Sequence, residues 1–262
     1  MNNDLFDNLA PTPGEAIDPV ALARRDLKKH FPRRFWKETK SVTRDGLHHL
    51  ELDGRPAFTP ARKPLAFADA ALAEALRAEW DGVGEFVDPA QMPLTRMVNS
   101  ALDGVANEMD AVAAEIAKYA GSDCLCYRAD GPERLSALQT AQWDPLLEWA
   151  RERWGARFNL SAGVMFVDQP GETIDAIRRC VAQVKSPMHL AALHVMTTLT
   201  GSVLLALAVQ QGRLSAEEAW ALAHLDEDFQ MEVWGQDEEA LARRAARWRE
   251  MQAAAMLVNV AD

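Results

Sequence analysis

Residues 188–210, MHLAALHVMTTLTGSVLLALAVQ, contain no Asp, Glu, Lys or Arg. Whether this stretch is buried in a protein core or inserted in a membrane decides what kind of fold the chain forms. A charge-free stretch of this length can span a bilayer as a helix. It also contains histidine, threonine, serine and glycine, and its continuous apolar part is only 203–209. The centre of a helical domain equally requires a helix that is apolar on all sides. We therefore predict that 188–210 forms one buried helix, without membrane insertion.

Helix-forming patterns flank this stretch on both sides. Apolar residues recur at three- and four-residue spacing over 94–118, which predicts one long amphipathic helix there. Ser215 and Glu218 have the spacing of a capping box, which marks the start of another helix. Further helices are predicted over 69–81, 132–154, 172–185, 215–235 and 238–256, and short strands over 124–128 and 160–167.

Turn signals characterise the N-terminal part of the chain. The dipeptides Asp45-Gly46 and Asp53-Gly54 are typical of tight hairpin turns. They separate the short runs 34–43, 47–52 and 55–59. The sequence therefore predicts a small antiparallel unit over 33–60.

These patterns together predict an α+β fold, in which a small N-terminal antiparallel β unit is followed by a larger, mainly α-helical domain. We expect residues 1–18, which are rich in Pro, Asn and Asp, to be disordered. Residues 19–65 are expected to form the small β-rich domain, beginning with a short helix that ends before Pro32. The mainly helical domain is then expected to comprise 66–262.

The composition excludes several classes of protein. The formal net charge is −11 and the basic residues are dispersed, so we expect no binding to nucleic acid. Three cysteines fit a reducing compartment better than a disulfide scaffold. No Lys or Arg precedes Arg24, whereas signal peptides and mitochondrial presequences carry basic residues early. We expect a bacterial cytoplasmic protein or a mature organellar form.

Catalytic and metal-binding patterns are missing. Cys124 and Cys126 share a face of the predicted strand, but zinc needs three or four ligands. His189 and His194 lie about 140° apart around a helix and cannot share a metal ion. The phosphate loop and the nucleophile elbow are both absent. We expect no metal, no cofactor and no enzyme activity; the alternative is a small-molecule enzyme that uses Cys126 or the acidic helix over 215–235.

Four segments resemble, in order, the motifs of one known family. They are LELDGRPAFTPARKPLAF (50–67), AEWDGVGEFVDPAQMPLTRMVNSALDGV (78–105), DCLCYRADGPERLSALQTAQWDPLLEWARERWGARF (123–158) and LAHLDEDFQMEVWG (222–235). Each segment alone is a weak signal, but together they are specific. The chain resembles the ATP-twelve family of ATP synthase assembly chaperones.

The resemblance implies both a partner and a compartment. Members of this family bind the free alpha subunit of the catalytic sector and prevent its aggregation until the beta subunit replaces them. They are not ATPases. They act in the mitochondrial matrix or in the cytoplasm of related bacteria, and the N-terminus of this chain favours the bacterial case. We expect this protein to be monomeric when free.

Asp226 is the most informative candidate for a contact residue. It lies within the apolar stripe of the predicted helix over 215–235, where a carboxylate is costly unless it is paired. One interpretation is an internal partner, for example one of the arginines at 178, 179, 243 and 244. The other is a contact with a cationic group on the client, because the acidic run of the family falls here. The predicted partner-binding residues are Asp226, Glu227, Phe229, Gln230, Trp234 and Trp80.

Overall fold

The computed structural model describes residues 31–163 and 165–260 of the chain. The segment 1–18 and almost all of the short helix predicted before Pro32 lie outside the described residues. The division of the chain at residue 65 stays a prediction.

Four short antiparallel strands form the N-terminal sheet. They are β1 (Thr39–Arg44), β2 (Leu47–Leu52), β3 (Arg55–Pro56) and β4 (Ala66–Phe67), and β2 pairs with the other three. Asp45 and Gly46 have φ of +50° and +79°, and Asp53 and Gly54 have φ of +49° and +74°. A type I′ turn needs positive φ at both central residues, which explains the two Asp-Gly pairs. Both predicted hairpin turns are confirmed.

Helices dominate the rest of the described chain. They are α1 (Ala70–Asp81), α2 (Pro93–Asp103), α3 (Met109–Lys118), α4 (Glu133–Trp154), α5 (Gly171–Val181), α6 (Pro187–Thr200), α7 (Val203–Gln210), α8 (Ala216–Ala223), α9 (Leu225–Trp234) and α10 (Glu238–Val258). Two short parallel strands, β5 (Tyr127–Arg128) and β6 (Ser161–Ala162), pair with each other. The predicted α+β class, with a small N-terminal antiparallel unit before a mainly helical region, is confirmed.

The sheet packs against the first helices through apolar side chains. Leu50 of β2 and Leu65 are buried, as are Leu72 and Leu76 of α1, and all belong to one continuous core. Lys63, which follows β3, donates a hydrogen bond to the Leu102 carbonyl near the end of α2. The sheet is therefore fixed to the helical region by both apolar and polar contacts.

The prediction of one helix over 94–118 is wrong. Helix α2 ends at Asp103, whose carboxylate accepts hydrogen bonds from Thr59 Oγ1 at 2.7 Å and Ala61 N at 3.0 Å. Gly104 follows as the C-cap, and a 3-10 turn leads into α3. The Asp103 contacts hold the end of α2 against the segment after β3, and helical periodicity alone does not reveal such a long-range contact.

The charge-free stretch forms two helices, so the prediction of one helix over 188–210 is also wrong. Gly201 has φ of +67°, the left-handed conformation that ends α6. Ser202 then caps α7 by accepting from Leu205 N at 3.0 Å. The predicted burial is confirmed, since every residue of α7 from Val203 to Val209 is buried. Within the described ranges, none of the helices is both long and apolar enough to cross a membrane.

Other element boundaries also differ from the predictions. The helix predicted over 215–235 is divided at His224, although its capping box of Ser215 and Glu218 is confirmed. Residues 124–126 form a 3-10 turn, so the predicted strand over 124–128 is reduced to β5. The strand predicted over 160–167 is likewise reduced to β6.

A buried carboxylate connects the 3-10 turn to α7. Asp123 Oδ2 accepts from Ser202 Oγ at 2.9 Å and from Leu204 N at 3.1 Å, at the N-terminus of α7. Its Oδ1 accepts from Leu125 N at 3.1 Å. Burial raises the pKa of Asp123 to about 6, although these hydrogen bonds oppose the shift. Asp123 therefore holds the 3-10 turn, and β5 after it, against the core.

Candidate functional site

The position of α9 is set by His224. Its Nδ1 lies 2.8 Å from the Trp220 carbonyl, and the two rings stack with centroids 3.9 Å apart. This local contact interrupts the helix between α8 and α9. Burial lowers the pKa of His224. The chain therefore departs from helical backbone geometry at a packed imidazole, which separates α8 from α9.

Asp226 is held by a neutral amide. Its Oδ1 accepts a hydrogen bond from Gln139 Nε2 at 2.7 Å. Gln139 is fully buried, and its Oε1 accepts from Ala129 N at 2.8 Å, which fixes the orientation of the amide. Asp226 itself is half-buried. The Gln139 amide orients the carboxylate without neutralising its charge.

The internal arginine expected as one alternative is not the partner of Asp226. Within the described residues, Asp226 forms no ion pair, and Arg244 pairs with Asp228 instead. Arg178 pairs with Asp175 on its own helix, and Arg243 with Glu239. The expected internal partner is therefore present, but the suggested arginines were the wrong residues: the partner is a glutamine from α4.

Arg128 is a buried arginine of β5, and the next residue, Ala129, is the one that binds Gln139. Arg128 is 9% exposed, and its Nη2 donates to Asp144 Oδ1 at 2.7 Å. Its guanidinium lies 5.2 Å from the centre of the Trp143 ring, and Trp143 Nε1 donates to the Leu222 carbonyl at 3.0 Å. Arg128 Nε and Nη1 have no hydrogen-bond partner within the described chain. This set of contacts ties β5, α4 and the end of α8 together.

The predicted residues of α9 divide between two environments. Phe229 is 9% exposed and packs into the core, and Arg134 lies 5.4 Å from its ring centre. Arg134 also pairs with Glu232 at 2.7 and 2.9 Å, which secures α9 to α4. Phe229 thus anchors the helix rather than extending from it.

Glu227, Gln230 and Trp234 line the opposite side of α9. They border a cleft of 440 Å³ between α9 and α10, together with Arg243 and Arg247. The Trp234 side chain is 86% exposed. An exposed tryptophan beside charged groups is the kind of residue that anchors protein interfaces.

Trp80 lies elsewhere and has internal contacts. Its Nε1 donates to Thr95 Oγ1 at 2.9 Å, and its ring lies 4.9 Å from that of Trp36. Next to it, Glu79 accepts from Leu94 N and Thr95 N at 2.8 Å each, which caps the start of α2. These contacts stabilise the junction of α1 and α2, and none of them connects Trp80 to α9.

The cysteines have the environment of core residues. Cys126 is buried, and burial raises the pKa of its thiol well above the usual value. The Cys124 thiol donates to the Thr200 carbonyl at 3.4 Å, and burial raises its pKa as well. A thiol with a raised pKa is a poor nucleophile at neutral pH. In the ranges 31–163 and 165–260, no three His, Cys, Asp or Glu side chains are grouped so that they could hold a metal ion.

Two residues of this site, Gln139 and Arg128, were absent from the predicted set. The only signal in the sequence was their place in the third of the four family-like segments. The sequence does not show how close the third and fourth segments lie in the folded protein. The structure brings the third and fourth segments together through the contacts of Gln139 with Asp226 and of Trp143 with Leu222.

Known proteins resemble this chain along most of its length. Residues 33–151 match the model of the family described as ATP12 chaperone protein. The protein atp12, mitochondrial, of Schizosaccharomyces pombe is 26% identical over 220 residues, which cover 79% of this chain and 75% of that protein.

Solved structures of bacterial proteins are more similar. Atp12 from Paracoccus denitrificans is 43% identical with a TM-score of 0.76, and the match covers 86% of this chain and 97% of that one. The Atu1473 protein of Agrobacterium tumefaciens is 48% identical with a TM-score of 0.81, and the match covers 98% of this chain and 95% of that one. With this fold, this identity and this coverage, the chain belongs to the ATP12 chaperone family.

Proposed function

We propose that this protein holds the free alpha subunit of the F-type ATP synthase and prevents its aggregation until the beta subunit replaces it. Membership of the ATP12 chaperone family supports a chaperone role. The observation that favours α9 as the contact element is the half-buried Asp226, which is oriented by Gln139 and left without a cation.

The chemistry of α9 suits a holding role. An unassembled subunit exposes an apolar interface, and such a surface aggregates unless it is covered. Trp234 offers an exposed aromatic anchor, and Asp226 with Glu227 offers negative charge to fix orientation. We propose that Asp226, Glu227, Gln230 and Trp234 contact the client, while Phe229 holds the helix in place.

We also propose Trp80 as a client contact, at a place on the surface that is separate from α9. Its side chain is half-buried, so part of the ring faces solvent near the junction of α1 and α2. A client contact there would be a second area of the same interface. Its hydrogen bond to Thr95 makes a structural role the competing explanation.

The enzyme alternative is weaker on physical grounds. The Cys126 thiol is buried and its raised pKa keeps it protonated, so it cannot easily attack a substrate. On the acidic helix, the Asp228 carboxylate is paired with Arg244. Neither group has the environment of a catalytic nucleophile or base.

The compartment is also a proposal. The chain is 43% and 48% identical to the two bacterial proteins but only 26% identical to the mitochondrial one. This difference favours a bacterial cytoplasmic protein. We propose that it is monomeric when free, so that its client-binding surface is available.

A direct assay tests the proposed function. Isolated alpha subunit is warmed with an equal amount of this protein, and light scattering is recorded. We expect the alpha subunit to stay soluble, and added beta subunit to displace the chaperone in gel filtration. Equal scattering with and without the chaperone would refute the proposal. Serum albumin at the same concentration controls for a nonspecific effect of added protein.

A further inference from the structure

The outer edge of β6 carries unpaired backbone groups. Gly163 N donates to the Arg128 carbonyl at 2.8 Å, and Ala162 is the residue opposite Arg128 in the parallel pair. Successive residues of a strand direct their N–H and C=O groups to alternate sides. Ala162, and Leu160 two residues earlier, therefore direct theirs away from β5. Among the described residues, no hydrogen bond to these four groups is formed, and no further strand adjoins β6.

This edge borders a groove along α4. The groove has a volume of 610 Å³, and Pro145, Leu147, Phe158 and Leu160 give it an apolar lining. The acidic residues of the lining are already paired, Asp144 with Arg128 and Glu148 with Arg151. Arg157 also lines the groove and forms no ion pair within the described chain, so the lining favours a mainly apolar occupant over a basic one.

Pro145 interrupts the hydrogen bonding of α4 beside the groove. A proline inside a helix has no N–H, so it forms no hydrogen bond to the carbonyl four residues earlier. That carbonyl belongs to Ala141, which also lines the groove. The groove thus borders a break in the helix hydrogen bonds on one side and the outer edge of β6 on the other.

Large apolar side chains surround the edge. Leu160 is 48% exposed, Met165 71% and Phe166 66%. The Ser161 hydroxyl donates to the Met165 carbonyl at 2.7 Å, so this segment folds back and brings Met165 close to β6. Exposed apolar residues grouped beside an open strand edge are typical of a surface that another chain covers.

We propose that an extended, apolar segment of the client adds to β6 as a third strand, with its side chains in the groove along α4. This inference rests on the proposed function and names the kind of segment that the client contributes. Main-chain hydrogen bonds would provide affinity and the groove would select apolar side chains. The surface adjoins the candidate site, because Arg128 both pairs with β6 and binds Asp144 of the groove.

Hydrogen exchange provides the direct test. Amide exchange is measured in the free protein and in its complex with the ATP synthase alpha subunit, at single-residue resolution. Strand addition predicts that the Leu160 and Ala162 amides exchange more slowly in the complex, by at least about tenfold. The Gly163 amide, already bonded to β5, serves as the internal reference.

Two variants test the same surface by affinity. Ala162→Pro removes the outward N–H, and we expect roughly tenfold weaker binding of the alpha subunit. Phe166→Ser removes an exposed apolar side chain and is expected to weaken binding as well. Phe58→Ser is the matched control, since Phe58 is 49% exposed on the N-terminal sheet region and should bind like the parent. Melting temperatures confirm that each variant is folded.

The outcomes separate this inference from the proposed function. A complex that forms with unchanged exchange at Leu160 and Ala162 overturns the strand addition and leaves the proposed function standing. Failure to form any complex overturns both. Protection that rises with concentration of this protein alone assigns the edge to a second copy of the chain, and also overturns the inference.

Discussion

Gln139 of α4 and Asp226 of α9 lie 87 positions apart in the chain, yet the Gln139 amide donates to the Asp226 carboxylate at 2.7 Å. The glutamine carbonyl is occupied by Ala129 N, so the amide cannot turn without losing a buried hydrogen bond. A fixed neutral donor positions the carboxylate, and no cation among the described residues neutralises it. This relationship makes Asp226 a contact candidate with a defined geometry.

The first prediction separates the charge of Asp226 from its hydrogen bond. Asp226→Asn keeps an acceptor for Gln139, so we expect stability within about 0.5 kcal/mol of the parent, but weakened protection of the alpha subunit. Asp226→Ala leaves the buried donor unsatisfied and should cost about 1–3 kcal/mol. Urea unfolding and light scattering on the same samples measure both effects.

Asp226→Lys is the stricter variant. A variant that melts like the parent but no longer protects the alpha subunit supports the contact role. If Asp226→Asn and Asp226→Lys both fold and protect normally, Asp226 is not part of the client-binding surface.

The second prediction concerns Trp234. Because its side chain is 86% exposed, Trp234→Ser should change stability by less than about 0.5 kcal/mol. We expect a clear loss of affinity for the alpha subunit, since exposed tryptophans at interfaces often contribute strongly. Isothermal calorimetry measures the affinity, and unchanged binding would exclude Trp234 as an anchor.

The third prediction tests whether Trp80 contacts the client or only stabilises the fold. Trp80→Phe removes the donor to Thr95 while keeping an aromatic ring against Trp36. A purely structural role predicts about 1 kcal/mol lower stability and unchanged affinity. A client contact predicts weaker binding in addition, measured at a temperature where the variant is fully folded.

The fourth prediction concerns the core around α7. Leu204 and Leu205 are both fully buried, so replacing either with Ala should cost about 2–5 kcal/mol. Denaturant unfolding monitored by tryptophan fluorescence measures the loss. Leu138→Ala, at a residue that is 39% exposed on α4, is a suitable control and should cost far less. A negligible effect at both buried leucines would contradict the packing of α7.

The fifth prediction is a pH dependence caused by Asp123. Its pKa is about 6 in the folded protein and near 3.8 when unfolded, so the native state binds the proton more tightly between these values. The contribution of this group to stability is therefore full below about pH 4 and is lost as pH rises towards 6. Two units correspond to about 3 kcal/mol.

Comparison with Asp123→Asn isolates this effect. The substitution disturbs the cap of α7 and should lower stability by an amount that is nearly independent of pH. The difference in unfolding free energy between parent and variant should therefore change between pH 4 and 6.5. A constant difference over that range would contradict a raised pKa of Asp123.

The sequence predicted the local features well because local chemistry determines them. A two-residue hairpin turn requires positive φ at both residues, and Asp-Gly pairs adopt it readily. Ser215 with Glu218 can cap only the helix that they begin. The burial of 203–209 followed from its lack of polar residues. These features depend on a few neighbouring side chains and therefore can be recognised without the structure.

The helix breaks and the site depended on distant contacts. Gly201 is tolerated inside many helices, and here its carbonyl accepts a hydrogen bond from Cys124 N at 3.0 Å, a contact that the pattern of one helix does not reveal. Asp226 was recognised as unusual from its position on an apolar stripe, but Gln139 was not identified as its partner. Periodicity describes one helix at a time and cannot assign a partner on another.

The position of α10 after α7 in the chain has a consequence for synthesis of the protein. This helix packs along α6, and its Met251, Ala254 and Leu257 are buried. A ribosome releases the N-terminal part first. The apolar part of α7, Val203 to Val209, is therefore made before the helix that helps to enclose the centre. Until α10 has left the ribosome, this chain exposes an apolar surface of its own, and a product cut short before α10 would itself require holding.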